Sequence, residues 1–403
     1  MAATLLTAAV FWQVYAISGS PLQLGIVGLV RFVPSLGLSL LAGAIADSYN
    51  RKALVIASQA VQLTAALVLA GVTVAGGENL ALIYAVVFVT AVASTFEWPA
   101  RQALAPLLVT PETFHNSIIV SGTFQQFAFV TGPAVAGGLI ALSGAELAYS
   151  VMAGLLAASI FALFFVHPRK GDGQRRAVSI SAVKEGISFV RRRQVILGAM
   201  TLDMFAVIFG GATALLPIFA KDILDVGPIG YGLLLGAIDG GALLMSIALV
   251  FFPPIDRTGR ALLIAVAGFG LATIVFGLSR SFPLSLAACM LIGFSDEISV
   301  VMRQTTIQLA TPDDLRGRVT SVNMLFIGAS NQLGAVESGL VAAATSATFA
   351  VVSGGAGCLA VLAIIGTKMR ELRTYSAHAA THASQEALLE AVAIAESAPA
   401  TGG

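Results

Sequence analysis

Gly43-Ala-Ile-Ala-Asp47-Ser-Tyr-Asn-Arg51-Lys52 is a charged break between two apolar runs, 22–46 and 53–75. A hydrocarbon core about 30 Å thick takes roughly 20 apolar residues of helix, so each run can cross a bilayer once. What joins them can only turn the chain and hold charge at a membrane face. The same arrangement repeats outward in both directions, with further runs at 2–18, 80–98, 117–141, 146–166, 195–220, 229–252, 261–279, 282–302, 320–345 and 346–367. The pattern predicts twelve spans.

Composition points the same way. The chain of 403 residues is 57% apolar and 11% charged, where soluble domains carry about 25% charged residues; its mean hydropathy is +0.90. Seventeen of the charged residues fall in 167–194 and 368–403, and the remainder are too few to coat a globule. A soluble enzyme is excluded, and a net charge of +1 excludes a nucleic-acid binder. Cys289 and Cys358 lie in apolar stretches and imply neither a disulfide framework nor a metal site. His378 and His382 stand four apart in a polar tail, a spacing not read as a metal site there. No G-x-x-x-x-G-K-[ST] loop is present, so neither a nucleotide nor another cofactor is expected. The 41 glycines suit close helix approach inside a membrane.

With the first residue in the cytoplasm and the runs alternating, 19 of the 22 Lys and Arg fall on the cytoplasmic side. Positive charge marks that side, which predicts a multi-pass inner (cell) membrane protein with both termini cytoplasmic.

The chain is also duplicated. Arg101-Gln102 precedes Thr110-Pro111-Glu112, and Arg303-Gln304 precedes Thr311-Pro312-Asp313. Asp47 and Arg51 match Asp256 and Arg260, while Pro21 and Gly25 match Pro228 and Gly232. Two six-helix repeats facing each other are a transporter architecture. The expected fold is therefore all-α, with twelve transmembrane helices in two pseudo-symmetric six-helix bundles, 1–166 and 195–373. Between them, 167–194 reads as a cytoplasmic linker with an amphipathic stretch at 181–193 carrying Val183, Ile187 and Val190. Residues 374–403 read as a disordered tail. The counterpart of span seven would begin before Met1, so the first helix reads as truncated.

The stretch 43–52 matches G-x-x-x-D-x-x-x-R-[KR], and with its copy at Asp256 and Arg260 it resembles the loop signature of the major facilitator superfamily. Trp12-Gln13-Val14-Tyr15, Gly19-Ser20-Pro21, Gly132-Pro133 with Gly137-Gly138, Arg316-Gly317-Arg318-Val319 and Glu337-Ser338-Gly339 resemble its drug and siderophore exporter branch, which includes enterobactin exporters. The resemblance covers nearly all of 1–373. It implies proton-driven export of amphipathic small molecules by alternating access, with substrate, protons and lipid as partners; a monomer is expected. It also implies that Gly43, Asp47, Arg51 and Lys52, with Asp256 and Arg260, hold a cytoplasmic gate. Physically, Asp47 can cap span three or face span eleven, and Arg51 or Lys52 can pair with Glu112. Plain topology marking is the alternative.

Ionisable residues inside spans are functional candidates, because the bilayer penalises them. Arg31, Asp203, Asp239, Asp296, Glu297 and Glu337 qualify, with Glu97 near an inner boundary. The family fold lines its cavity with spans one, four, seven and ten, which would set Asp203 and Asp296 at one level as proton carriers, or else as structural contacts. Arg31 in span two can pair with Glu337 in span eleven, or with Asp239 in span eight, as a switchable or a permanent bridge. Arg101-Gln102 and Arg303-Gln304 form an inner-face repeat. Gln13, Tyr15, Gln125 and Gln126, beside Phe124 and Phe127, are candidates for substrate contact, with helix packing the alternative. An importer or a uniporter without proton coupling is the competing function. A membrane-embedded enzyme would need a nucleophile and base that the spans lack.

Overall fold

The structure is a computed structural model that describes residues 1–169, 180–251, 253, 255–312, 315–376 and 378, apart from the side chains of 40, 43, 44, 46–48, 111 and 180–183. The expectations for residues 170–179 of the linker, for His382 and for most of the 374–403 tail lie outside the described residues.

Helices α1 (Ala2–Ser18), α2 (Pro21–Ser48), α3 (Arg51–Val74), α4 (Leu80–Leu104), α5 (Pro111–Ser143) and α6 (Ala145–Phe165) build the first half. A shorter α7 (Ile180–Arg192) leads into α8 (Gln194–Phe209), which continues through a 3-10 turn, a brief α9 (Leu216–Ile218) and a π-helical turn at Phe219–Ile223. Then follow α10 (Gly227–Phe251), α11 (Thr258–Leu278), α12 (Phe282–Leu309), α13 (Arg316–Ala344), α14 (Ala347–Lys368) and a final turn α15 (Arg370–Thr374). Among the described residues, ten helices are long and apolar enough to cross a membrane. Two members of the twelve-span set depart from that measure. Helix α1 has 17 residues, and α13 has 29 but carries Asn323, Ser330, Asn331, Gln332 and Glu337.

Local chemistry sets the boundaries. Asn50, outside the helix, accepts a hydrogen bond from the Ala53 amide at 3.2 Å and starts α3, so it supplies the cap expected of Asp47. Asn79 does the same for α4 through Ala81 at 2.8 Å, and Ser346 for α14 through Phe349 at 3.1 Å. Helix α5 begins before its apolar run because Thr110 and Thr113 form a reciprocal capping box ahead of Pro111.

Within the first half, α3 packs on α4 and α6, α2 on α4, and α1 on α5 and α6; in the second, α10 and α11 pack on α12, α11 on α14, and α8 on α13 and α14. The halves meet through α2 on α13 and α5 on α10. Both crossings are made by glycine. A Cβ on Gly339 would stand 2.5 Å from the Gly25 Cα, and one on Gly232 would stand 2.5 Å from the Pro133 carbonyl and 2.9 Å from the Gly137 Cα. Gly25 and Gly232 are repeat-related positions, so the duplication places an equivalent crossing on each side of the molecule.

These crossings lie far from the α2–α3 and α10–α11 loops, in the half of the molecule away from the basic face. Toward the basic face α5 is bare, with Phe124 71% and Phe127 61% exposed. Residues 118–125 are all exposed, so α5 is bare on every side there, and the bundles touch at the far face and part at the basic face. Helix α7 docks on the second half: Val190 is buried with Ile196, Met200, Ile307, Val319 and Val322, and Glu185 pairs with Arg318 at 2.6 Å.

Gly232→Ala pushes a methyl group into the Pro133 carbonyl and is expected to cost about 1–3 kcal/mol of stability, read as thermal unfolding of the purified chain. Gly71→Ala, with nothing within 4 Å, is the control and leaves stability unchanged or raised.

Candidate functional site

The far-face seal is built around α1. The Tyr15 hydroxyl donates to the Asp222 carboxylate in the π-helical turn, and the Lys221 ammonium lies 5.6 Å from the Tyr15 ring. Trp12 packs against Tyr231 with ring centroids 5.5 Å apart, and the Tyr231 hydroxyl donates to the Ala8 carbonyl at 3.3 Å. Trp12 and Tyr15 are three apart and share a face of α1 toward the other half. Gln13 points elsewhere. It is 4% exposed, donates to Thr73 at 2.9 Å and Glu78 at 3.0 Å, and accepts from Tyr149 at 2.6 Å. In this conformation it ties the first bundle together and lines neither the Arg31 nor the Asp296 cavity. Gln125 is exposed and Gln126 half-buried on the bare part of α5.

The second half holds most of the intramembrane charge. Asp203 on α8 pairs with Arg303 on α12 at 3.0 Å, and Arg303 also donates to Asn323 on α13 at 3.2 Å. One buried guanidinium thus bridges three helices, although its Nε finds no hydrogen-bond partner. The two carboxylates expected to act together are separated in role. Asp203 is engaged by Arg303, whereas Asp296 lines a cavity of about 110 Å³ with Thr213, Phe269, Phe276 and Asn331. Asp203, Asp239, Glu297 and Arg303 all lie within electrostatic reach of Asp296. Glu297 accepts a hydrogen bond from Ser246 at 2.6 Å. Arg303, read from the sequence as part of an inner-face repeat, is 2% exposed; its counterpart Arg101 and neighbouring Gln102 are exposed, and Gln304 is half-buried.

In the first half, a cavity of about 230 Å³ is lined by Thr7, Arg31, Gln62, Thr90, Ser94 and Gln332, with apolar walls. Arg31 donates to the Thr7 hydroxyl at 3.3 Å. The expected pairing with Glu337 or Asp239 does not form. Register is the reason for Glu337: Gly25 contacts Gly339, so Arg31, six residues further along α2, lies level with Leu333 on antiparallel α13. Glu337 stands four residues away, about 6 Å nearer the far face, and its carboxylate takes a weak hydrogen bond from Ser338. Glu97 is held by Gln59 at 2.9 Å and Gln62 at 2.6 Å.

At the basic face, the side chains of Gly43 and Asp47 lie outside the described residues, and Arg51 is half-buried at the start of α3. The expected pairing of Lys52 with Glu112 is replaced by a cap: its ammonium donates to the Phe164 carbonyl at 3.3 Å and the Val166 carbonyl at 2.7 Å. Positive charge is favourable at those last carbonyls of α6. In the repeat copy, Asp256 accepts from the Ser376 hydroxyl at 2.6 Å and the His378 amide at 3.0 Å, and Arg260 is exposed. Asp256 therefore fastens the segment after α15 to the α10–α11 loop. Leu372 is buried beside it, and its carbonyl lies where a Cβ on Gly259 would stand. Among the described residues no cluster of His, Cys, Asp and Glu suits a metal ion.

Two outcomes follow from this geometry. Asp203→Asn strands a buried guanidinium and is expected to cost about 3–5 kcal/mol, whereas Asp203→Leu with Arg303→Met recovers most of the loss; thermal unfolding in a double-mutant cycle measures both. An Asp203→Asn chain as stable as the parent removes the bridge. The hydrogen bonds from Ser376 and His378 hold the Asp256 carboxyl below its ordinary range. A depressed folded-state pKa gives stability that is present above the unfolded value, about 3.9, and lost as pH falls through the folded one. Hydrogen-exchange protection of the His378 amide, corrected for intrinsic rates, should hold from pH 8 to 5 and collapse only below about 4.

Residues 3–400 match the family described as transmembrane secretion effector. The multidrug efflux pump Tap of Mycolicibacterium fortuitum is 26% identical over 375 residues, 90% of this chain and 91% of that protein. Macrolide efflux protein A of Streptococcus pyogenes is 24% identical over 336 residues, 81% of this chain and 82% of that protein. In fold, the nucleoside transporter NupG superposes with a TM-score of 0.68 at 12% identity, covering 92% of this chain and 99% of that one. A bacterial homologue of the human lysosomal transporter Spinster, in an inward-facing and occupied conformation, superposes with a TM-score of 0.67 at 13% identity, covering 93% and 97%. Long apolar helices in two glycine-joined bundles are the frame of a transporter rather than an enzyme, and the chain belongs to the transmembrane secretion effector family of the major facilitator superfamily.

Proposed function

We propose that the protein exports amphipathic small molecules of the drug class from the cytoplasm by alternating access, driven by proton influx. The single observation that carries this reading is the pairing of a sealed far face with an open basic face. The seal comprises Tyr15 on Asp222, Trp12 on Tyr231 and the two glycine crossings; the bare stretch of α5 marks the opening. Taking the basic face as cytoplasmic, this is the state that loads substrate from inside the cell. The named relatives, a multidrug and a macrolide efflux pump, support export and favour drugs over siderophores as cargo. The two bundles, residues 1–166 and 195–373, are the units that rock, and the 167–194 segment connects them.

Proton coupling is assigned to Asp296, with Asp203 and Arg303 as its switchable neighbours and Asp239 as an accessory carboxylate. Asp296 lines a cavity with no hydrogen-bond partner among the described residues, so it can gain or lose a proton without dismantling a helix contact. Asp203 cannot, because its charge balances Arg303. A second acid within reach raises the cost of holding both charges, and substrate or the moving bundles would change that cost.

Proteoliposomes containing the intact chain and an internal pH indicator test the scheme. Adding a macrolide or a cationic dye should drive proton movement opposite to substrate, and Asp296→Asn should reduce it to the protein-free background with binding retained. Substrate flux without proton flux would overturn the coupling, and accumulation toward the basic face would overturn export.

A further inference from the structure

The cavity of the first half contains a charge that no ion pair among the described residues balances. Arg31 sits in the middle of α2, and a guanidinium stays protonated in any protein setting. It has five N–H donors and makes one hydrogen bond, to Thr7, at 3.3 Å. Among the described residues no carboxylate forms an ion pair with it. Helix α1 has no charged side chain. On α3, Arg51 and Lys52 lie at the basic end and are themselves positive. Glu97 on α4 is occupied by two glutamine amides, and Glu337 on α13 is displaced toward the far face. An uncompensated cation at this depth is costly.

The remainder of the cavity is suited to what would compensate it. Leu6, Val10, Val27 and Val87 provide an apolar wall. Thr90 and Ser35 spend their hydroxyl protons on the Val87 and Phe32 carbonyls, and one of the two Gln62 amide protons goes to Glu97. The other polar groups of the lining are neutral hydroxyls and amides, so the charged donor of the lining is Arg31. Gln332 closes the cavity from the other half.

We propose that this cavity is the subsite for the acidic group of an amphipathic substrate. A carboxylate or similar oxyanion takes the free donors of Arg31, the adjoining apolar body lies on the valine and leucine wall, and neutral hydroxyl or amide groups reach Thr90, Ser94 and Gln332. The chain thereby accepts organic acids, a class distinct from the cations that the carboxylates of the second half would attract. The assignment rests on the transporter reading of the same chamber, yet it concerns binding and needs no turnover.

The test uses the full chain in lipid nanodiscs with dansylglycine, which is anionic at neutral pH, and its neutral isostere dansylglycinamide, with empty nanodiscs subtracted. A charge-assisted pair should favour the acid by about tenfold or more in Kd. Arg31→Gln should bring the ratio of the two affinities to about one, and Arg31→Lys should retain a preference for the acid. Equal affinity in the parent chain would overturn the proposal before any variant is made. So would a preference that survives Arg31→Gln in protein of unchanged thermal unfolding. Preserved acid preference in a chain that fails to move protons or export would uphold this subsite while removing the export scheme, so the two readings fail separately.

Discussion

Inside a bilayer no hydrophobic force pushes one apolar helix onto another, so two bundles adhere only where their backbones come close enough for dispersion and weak polar contacts. Here that closeness is concentrated at Gly25 against Gly339 and Gly137 against Gly232. Everything else about the chamber follows from where those crossings sit. They lie toward the far face, so the aromatic and ionic seal around Tyr15 forms there, and the basic face is free to part. They also fix the antiparallel register of α2 on α13, which decides the partners available to every polar group between them.

Charge is the second organising constraint. The membrane tolerates an ionised side chain that is paired, hydrogen-bonded or facing water, and the intramembrane groups divide along those lines. Asp203 with Arg303 and Asn323 ties three helices, and Glu97 is held between two glutamines. Asp296 and Arg31 are left lining cavities, one in each half and of opposite sign. The paired groups tie helices together, and the two without an ion pair among the described residues face cavities.

The spans were legible in the sequence because runs of some 20 apolar residues between charged turns have few other uses, and the duplication was legible because motifs recurred in order. Contacts between helices were less so. Arg303 reads as a loop residue when the apolar run is cut at 302, but α12 continues to Leu309, which buries Arg303 two helical turns from Asp296. That seven-residue spacing was the available signal. The pairing of Arg31 with Glu337 came from counting depth from the span ends, whereas the glycine contact sets the register a turn away. Lys52 reads as a loop cation, yet the unpaired carbonyls ending α6 are a partner that only tertiary structure brings near. Likewise, Gln13 and Tyr15 share a motif, but their positions on α1 send one into its own bundle and the other across to Asp222.

Helix α13 accounts for the remaining departure, a transmembrane element too polar to pass a hydropathy test. Its polar residues are spread around and along it because it is the partition of the chamber. Asn323 reaches Arg303 toward the basic face, Asn331 borders the cavity of Asp296, and the adjacent Gln332 borders the cavity of Arg31. Successive residues on a helix point about 100° apart, so one backbone position presents a side chain to each half. Low hydropathy here is the cost of having two polar faces, each of which lines a cavity. One helix thus borders both cavities and contacts the Asp203–Arg303 pair through Asn323, so a shift of α13 along its axis would move polar groups at all three places together.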